Sequence, residues 1–358
     1  MKILFLCLST LKFDTKTPFS EPLGGTESAL AYLAPEMVKL GHDVTLMCGA
    51  HPHVGEDGVK HCPVSEDLSS IGPDVIVVTS APQAAPGIRK AAPNTKIVLW
   101  NHMRPDQPAM RHIVDPVCAA AIDNIVYVSE IQRQAFVDLP QRGTLDLNGA
   151  HTTVINNAIA PCFENMFSSA DEIFKAKKCR GVYTSTPYRG LAVLAQIKEI
   201  PIDVYSSMAV YQGNDAVFAT MYENLKKNDC LTLYGSVSQK KLMKHIRETA
   251  FLVYPSVFAE CHSIAIIEAM AAGLKVITTD MASPQTDFID SMSATKGSVD
   301  DYARMLRRNI NSFRSRPEEW AEKMWKQVQY VNSEFTWKKK AKEWDVYLSS
   351  VCEKTLAA

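Results

Sequence analysis

The 358-residue sequence predicts an α/β protein of two Rossmann-like domains facing across a cleft, with C-terminal helices that cross back. Short apolar runs alternate with helix-compatible stretches through residue 155, and the same rhythm restarts near residue 178. The length suits two cores of the commonest domain size. Four of the five tryptophans, Trp320, Trp325, Trp337 and Trp344, lie in a tail rich in Lys and Glu, where they read as anchors for helices spanning both domains or for a hairpin on one.

Residues 3–8 form an apolar run suited to a buried strand, followed by a long loop through Gly24-Gly25 and a helical pattern over 26–39 that Gly41 ends. Strands follow at 43–48, 74–78, 96–100, 124–128 and 154–155, giving six in a mostly parallel sheet covered on both faces. Asn156-Asn157 and Pro161 then mark a loop toward the domain border. The second series predicts a strand at 178–184, a helix at 190–199, strands at 202–206 and 231–234, a turn at Gly235-Ser236, and a helix at 239–248. A strand at 250–254, a helix after Ser263, a strand at 275–279 and a helical tail over 317–352 complete it. The division expected is 1–165 for the first domain, 166–335 for the second and 336–358 for a helix returning toward the first. Ligands in such sheets bind outside the carboxyl ends of the strands.

Apolar residues make up 46% and charged residues 22%, which excludes a disordered chain, and a net charge of -1 argues against nucleic acid as a partner. The charge is uneven: residues 1–165 carry 12 Lys/Arg against 17 Asp/Glu, and residues 166–358 carry 26 against 22. An anionic ligand therefore points to the second half. Nine dispersed cysteines without a CxxC pair or zinc spacing read as reduced thiols of a cytoplasmic protein. The opening MKILFLCLST lacks a cleavage site and reads as a strand, and no apolar window is long enough to span a bilayer. No DxD-type acidic cluster ends a strand, so no obligatory metal is expected.

The chemistry concentrates in residues 255–273, PSVFAECHSIAIIEAMAAG. A strand leads into a loop bearing Glu260, and a helix starts near Ser263, so backbone N–H groups around Ser263 and Ile264 can face a diphosphate. Glu268 lies inside that helix among apolar residues, where a carboxylate is costly without partners. A vicinal diol such as ribose O2 and O3 offers it two donors, and Glu260 at the mouth can bind sugar hydroxyls. The plainer alternative is that Glu268 satisfies local backbone donors and Glu260 is solvated.

This stretch resembles the donor-binding signature of GT-B retaining glycosyltransferases of family 4 (glycosyltransferase group 1), two glutamates separated by seven residues and followed by Ala-Met-Ala and a glycine. Ser263 stands where the family usually has glycine, and Cys261-His262 replaces its usual Pro-Phe. Gly24-Gly25 before Thr26-Glu27 resembles the family's glycine-rich loop near the donor phosphates and acceptor. Val128-Ser129-Glu130 resembles a strand-to-helix junction in which Ser129 is a natural cap, and Asn157 and Ile159 align with a Pro-Asn-Gly-Ile segment. Arg189 falls at the family's basic residue for the donor diphosphate, although the arginine that relatives carry about five residues earlier is absent. Gly235-Ser236 resembles the loop that places base and phosphate. His102 resembles the histidine at the acceptor-side strand end, close to the donor sugar, with Arg104 and Asp106 as further contacts.

The resemblance implies transfer of a sugar from a nucleoside diphosphate sugar, UDP- or GDP-linked, to a hydroxyl acceptor such as a glycan or glycolipid, with the anomeric configuration retained by front-face displacement. His102, Arg189 and Glu260 would carry the reaction, and Gly24, Gly25, Arg104, Gly235, Ser236, Ser263, Ile264 and Glu268 would bind substrate, without a metal or cofactor. Such an enzyme is expected in the cytoplasm, and at the inner face of the membrane if its acceptor is lipid-linked. Two rival readings are a sugar-nucleotide epimerase, against which the Glu260-to-Glu268 spacing favours the transferase, and a non-catalytic nucleotide-sugar-binding relative, to which the missing second cation and Cys261-His262 point.

Overall fold

A computed structural model of the chain describes residues 1–139, 151–282 and 288–356. The chain forms two compact units, one of Met1–Thr17, Gly25–Asn157 and Trp337–Ala358, the other of Pro18–Gly24 and Ala158–Thr336.

Among the described residues the first unit is built on an eight-stranded sheet of β1 (Lys2–Leu6), β2 (Asp43–Cys48), β3 (His53–Val54), β4 (Lys60–Pro63), β5 (Val75–Thr79), β6 (Lys96–Asn101), β7 (Asn124–Tyr127) and β8 (Thr152–Val154). Their order is β3-β4-β2-β1-β5-β6-β7-β8, parallel except where β3 meets β4. Val75 through Thr79 is buried at every position, as a strand covered on both faces requires. Two strands exceed the six expected, because β3 and β4 are short and rich in His, Lys and Pro, and only pairing of β4 with β2 reveals them. The helix Gly25–Lys39 buries Ala29, Leu30, Leu33, Ala34 and Met37, and Gly41 beyond its end takes a left-handed φ of 90°. Against it packs the helix Trp337–Leu356, whose Trp344 ring lies 5.0 Å from Trp100 and 6.5 Å from Phe5.

Among the described residues the second unit has six strands, β9 (Lys178–Tyr183), β10 (Ile202–Val204), β11 (Leu231–Leu233), β12 (Thr249–Tyr254), β13 (Lys275–Thr279) and β14 (Asp290–Met292). All pair in parallel, in the order β11-β10-β9-β12-β13-β14. Residues 190–199 are not the α-helix expected; a 3-10 segment spans Leu191–Gln196 instead. The Asn228 side chain donates to the carbonyls of Leu194 (3.0 Å), Ala195 (3.3 Å) and Ile197 (2.8 Å), replacing bonds a longer helix would make. Below the sheet run the helices Val299–Ser315, opened by a capping box at Ser298, and Pro317–Glu334. Trp320 packs its ring 4.9 Å from Phe313 and 6.3 Å from Phe251. Trp320 thus belongs to the second unit, and Trp337 and Trp344 to the first. Among the described residues no helix is long and apolar enough to cross a membrane.

Candidate functional site

In the second sheet, strand order reverses between β9 and β12: the strands after β9 lie on one side of it, and β12 and its successors on the other. The connections leaving such neighbours diverge and open a crevice at their carboxyl ends. Arg189 follows β9 and Glu260 follows β12. Arg189 Nη1 donates to both carboxylate oxygens of Glu260 at 2.6 Å, with the two side chains 21% and 7% exposed. Gly190 permits this approach, because its φ is 94° and a Cβ there would stand 2.0 Å from the Pro255 carbonyl oxygen. The guanidinium also lies 4.7 Å from the Phe258 ring centre and 5.6 Å from that of Tyr188. Burial is the largest single influence and opposes its charge, but the Glu260 carboxylate together with Tyr254, Tyr211 and Tyr188 outweighs it and holds the Arg189 pKa well above its usual range.

Glu260 has two further anchors. Its backbone N–H donates to the Met281 carbonyl at 2.8 Å, and the Tyr254 hydroxyl donates to its Oε1 at 2.5 Å. Ser185 Oγ lies 3.2 Å from the Tyr254 hydroxyl oxygen.

Ser263 is the N-cap residue of the helix Ile264–Ala271, yet its side chain makes no capping bond. The amide groups of the first turn are therefore not consumed by it. Within this helix the buried Glu268 carboxylate accepts from the Ala160 backbone N–H at 3.2 Å. Burial pushes its pKa up to about 8, against the opposing pull of the Ala160 amide and a hydrogen bond with the Gln239 side chain. At the end of β11, Gly235 takes a φ of 70° with open space where a Cβ would stand, and Ser236 Oγ donates to the Ser207 carbonyl at 3.3 Å.

The remaining candidates lie elsewhere. His102 follows β6 in the first unit, its backbone N–H donating to Ser80 Oγ at 2.9 Å and its ring 4.6 Å from Trp100. Arg104 Nε is buried without a hydrogen bond, 3.9 Å from Asp106 Oδ1. Gln132 organises this strand end: its Oε1 accepts from Val128 N at 2.7 Å, and its Nε2 donates to the carbonyls of Asn101 (2.9 Å) and Met103 (2.8 Å). Ser129 caps the helix Glu130–Val137. Gly25 begins the helix Gly25–Lys39 in the first unit, and Gly24 groups with the second.

The structure thus joins Arg189 to Glu260 directly and sets Ser263, Ile264 and Glu268 on one helix of the same unit, with Gly235 and Ser236 at the end of β11 in the same sheet. Sequence reading missed Tyr254, Ser185, Gln239 and Gln132. For Tyr254 the only signal was an aromatic hydroxyl closing an otherwise apolar strand. Among the described residues no group of three or more His, Cys, Asp or Glu side chains is arranged to hold a metal ion.

Residues 195–312 match the family described as glycosyl transferases group 1. No curated protein matches the sequence. Among solved structures, the chain is similar to sucrose-phosphate synthase from Thermosynechococcus elongatus, with a TM-score of 0.73, 13% identity, and 98% of each chain covered. A glycosyltransferase from Rickettsia africae gives a TM-score of 0.71 at 12% identity over 99% of this chain and 98% of that one. Anabaena HepE in complex with UDP-glucose gives 0.67 at 16% identity over 98% of this chain and all of that one. At these identities the likeness is one of fold. The likeness to the glycosyl transferases of group 1 therefore covers residues 195–312, and the likeness of fold to these solved structures runs the length of the chain.

Proposed function

We propose that the chain moves a sugar from a UDP- or GDP-linked donor to a hydroxyl of a glycan or glycolipid acceptor, with retention of anomeric configuration. The observation that carries this reading is the Arg189–Glu260 pair at the strand-order reversal of the second sheet. Cation and carboxylate there suit the two halves of a nucleotide sugar. A guanidinium with five donors can bind the diphosphate and neutralise the charge that grows as the bond to the sugar breaks. The carboxylate accepts sugar hydroxyls. Ser263 and Ile264 add backbone amides at a helix start, Glu268 takes the ribose diol, and Gly235 and Ser236 hold base and phosphate.

On this reading residues 1–165 form the acceptor side, 166–335 the donor side, and 336–358 a returning helix. Gly24, Gly25, His102 and Arg104 serve the acceptor and the donor sugar. The leaving phosphate oxygen takes the acceptor's proton as the new glycosidic bond forms on the same face, so no side-chain nucleophile is needed. The work is done in the cytoplasm, at the inner membrane face where the acceptor carries a lipid. The Anabaena neighbour's complex with UDP-glucose makes that donor the first to try.

The test is nucleotide release from a panel of UDP-, GDP- and ADP-sugars, with transfer to an acceptor mixture followed by mass. One donor should give acceptor-dependent release with slow hydrolysis in its absence. Tight donor binding with no release in the presence of any acceptor would favour a non-catalytic relative and defeat the proposal.

A further inference from the structure

We infer that Tyr254 is a positioning residue of this site, its hydroxyl, supported by Ser185, holding the Glu260 carboxylate in place for the donor sugar when Arg189 engages the diphosphate. The inference rests on the function proposed above. Three groups converge on Glu260: the guanidinium of Arg189 on both oxygens, the Tyr254 hydroxyl on Oε1, and the backbone contact to Met281. The first is the group that a diphosphate would attract. Once Arg189 shares its donors with phosphate oxygens, an ion pair alone would leave the carboxylate free to swing.

Tyr254 does not share that fate. It lies at the last position of β12, fully buried, with its ring 5.6 Å from that of Tyr183 and its backbone carbonyl accepting from Thr278 Oγ1 at 2.8 Å. A phenol has one proton, and Tyr254 gives it to Glu260. Ser185 must then be the donor in its 3.2 Å contact with the Tyr254 oxygen. The result is a directed chain, Ser185 to Tyr254 to Glu260, in which each bond polarises the next. Ser185 follows β9 and Tyr254 ends β12, so the chain crosses the strand-order reversal on fixed supports. Glu260 is in this way held from β12 as well as by Arg189.

The experiment uses the full chain and the donor giving fastest release in the panel above, with its parent nucleoside diphosphate as the sugar-free control. Tyr254→Phe keeps the ring and removes the hydroxyl. It should lower kcat/KM for the donor roughly tenfold, the scale of a lost hydrogen bond to a charged group. Affinity for the nucleoside diphosphate should stay within about twofold, since that ligand lacks the sugar. Ser185→Ala should move the same way by less, and guards against a Tyr254 variant that fails to fold. Adding Tyr254→Phe to Glu260→Gln should produce no further loss. Equal losses for donor and nucleoside diphosphate, multiplying losses in the double variant, or an unchanged Tyr254→Phe in an active enzyme would each overturn the inference alone. A wild type inactive toward every donor would overturn the proposed function and the inference with it.

Discussion

Glu268 Oε1 accepts the backbone N–H of Ala160 at 3.2 Å, so a carboxylate inside the helix Ile264–Ala271 secures the segment that opens the main body of the second unit. The bonds from the Ala160 amide and with the Gln239 side chain do not repay burial, and the carboxyl pKa rises to about 8 from an ordinary 4.5. Because the folded pKa is raised for an acid, the native state holds a proton between these values that the unfolded chain releases. Stability therefore falls as pH rises from about 4.5 to about 8 and is flat beyond. Glu268→Gln should unfold like wild type near the lower limit and be more stable near the upper, by a few kcal/mol at most, at roughly 1.4 kcal/mol per pKa unit. Thermal melts of both proteins across this range check it. A stability difference independent of pH would refute the assignment. Nucleoside diphosphate affinity should weaken in the same variant, separating the residue's cost to folding from its use in binding.

Arg189 and Glu260 allow a second separation. Arg189→Met leaves a carboxylate that is only 7% exposed without its cation, which should cost about 1–3 kcal/mol after allowance for the partial exposure of the pair. The double variant Arg189→Met with Glu260→Gln should recover most of that stability, since no charge is stranded. It should not recover transfer, which is expected to stay at least about 100-fold down because the diphosphate has lost its guanidinium. Urea denaturation measures the first quantity and donor turnover the second. Recovery of turnover with stability would make the pair a purely structural bridge.

Much of the fold was legible because the central strands carry their own signal. Residues 43–48 and 275–279 contain buried stretches of apolar and β-branched residues, 44–48 and 276–279, and the structure places β2 and β13 on those ranges. The short strands β3, β4 and β14 carry no such run and exist through their neighbours. At residues 190–199 local propensity favoured a helix, and a side chain more than thirty residues away, Asn228, took over its carbonyls. The same division applies to the site. Glu260, Ser263 and Glu268 share one continuous motif and could be read together. That Arg189 meets Glu260 depends on β9 lying beside β12, with the two residues 71 positions apart in the sequence, and no local pattern encodes that adjacency.

Gly190 tests whether backbone geometry holds the pair together. Its φ of 94° is unfavourable for any L side chain, and a Cβ would stand 2.0 Å from a backbone carbonyl that cannot rotate away. Gly190→Ala should therefore destabilise the chain by about 2 kcal/mol or more and push the Arg189 turn off the β12 exit. Nucleoside diphosphate affinity should fall with it. As a control, Gly235→Ala meets no atom within 4 Å, although its φ of 70° still carries strain, so it should cost less stability. Equal melting temperatures for wild type and Gly190→Ala would contradict the tight approach described here.

His102 provides the sharpest contrast between chemistry and core. Its ring lies 4.6 Å from Trp100, which packs in turn 5.0 Å from Trp344, so the candidate imidazole stands at the edge of the aromatic core of the first unit. The two ends of this row should respond differently. Trp344→Ala removes a fully buried indole and should cost about 3–5 kcal/mol, lowering activity only through loss of folded protein. His102→Ala leaves Trp100 and Trp344 in place, and the backbone N–H that donates to Ser80 Oγ is retained, so folding should change little. The proposed role near the donor sugar instead predicts a loss in kcat of about 100-fold, with nucleoside diphosphate affinity unchanged. Steady-state turnover and calorimetric binding of the nucleotide, measured on both variants at matched folded fraction, decide it. If His102→Ala loses stability as Trp344→Ala does while keeping its turnover per folded molecule, the imidazole is part of the core and not of the reaction.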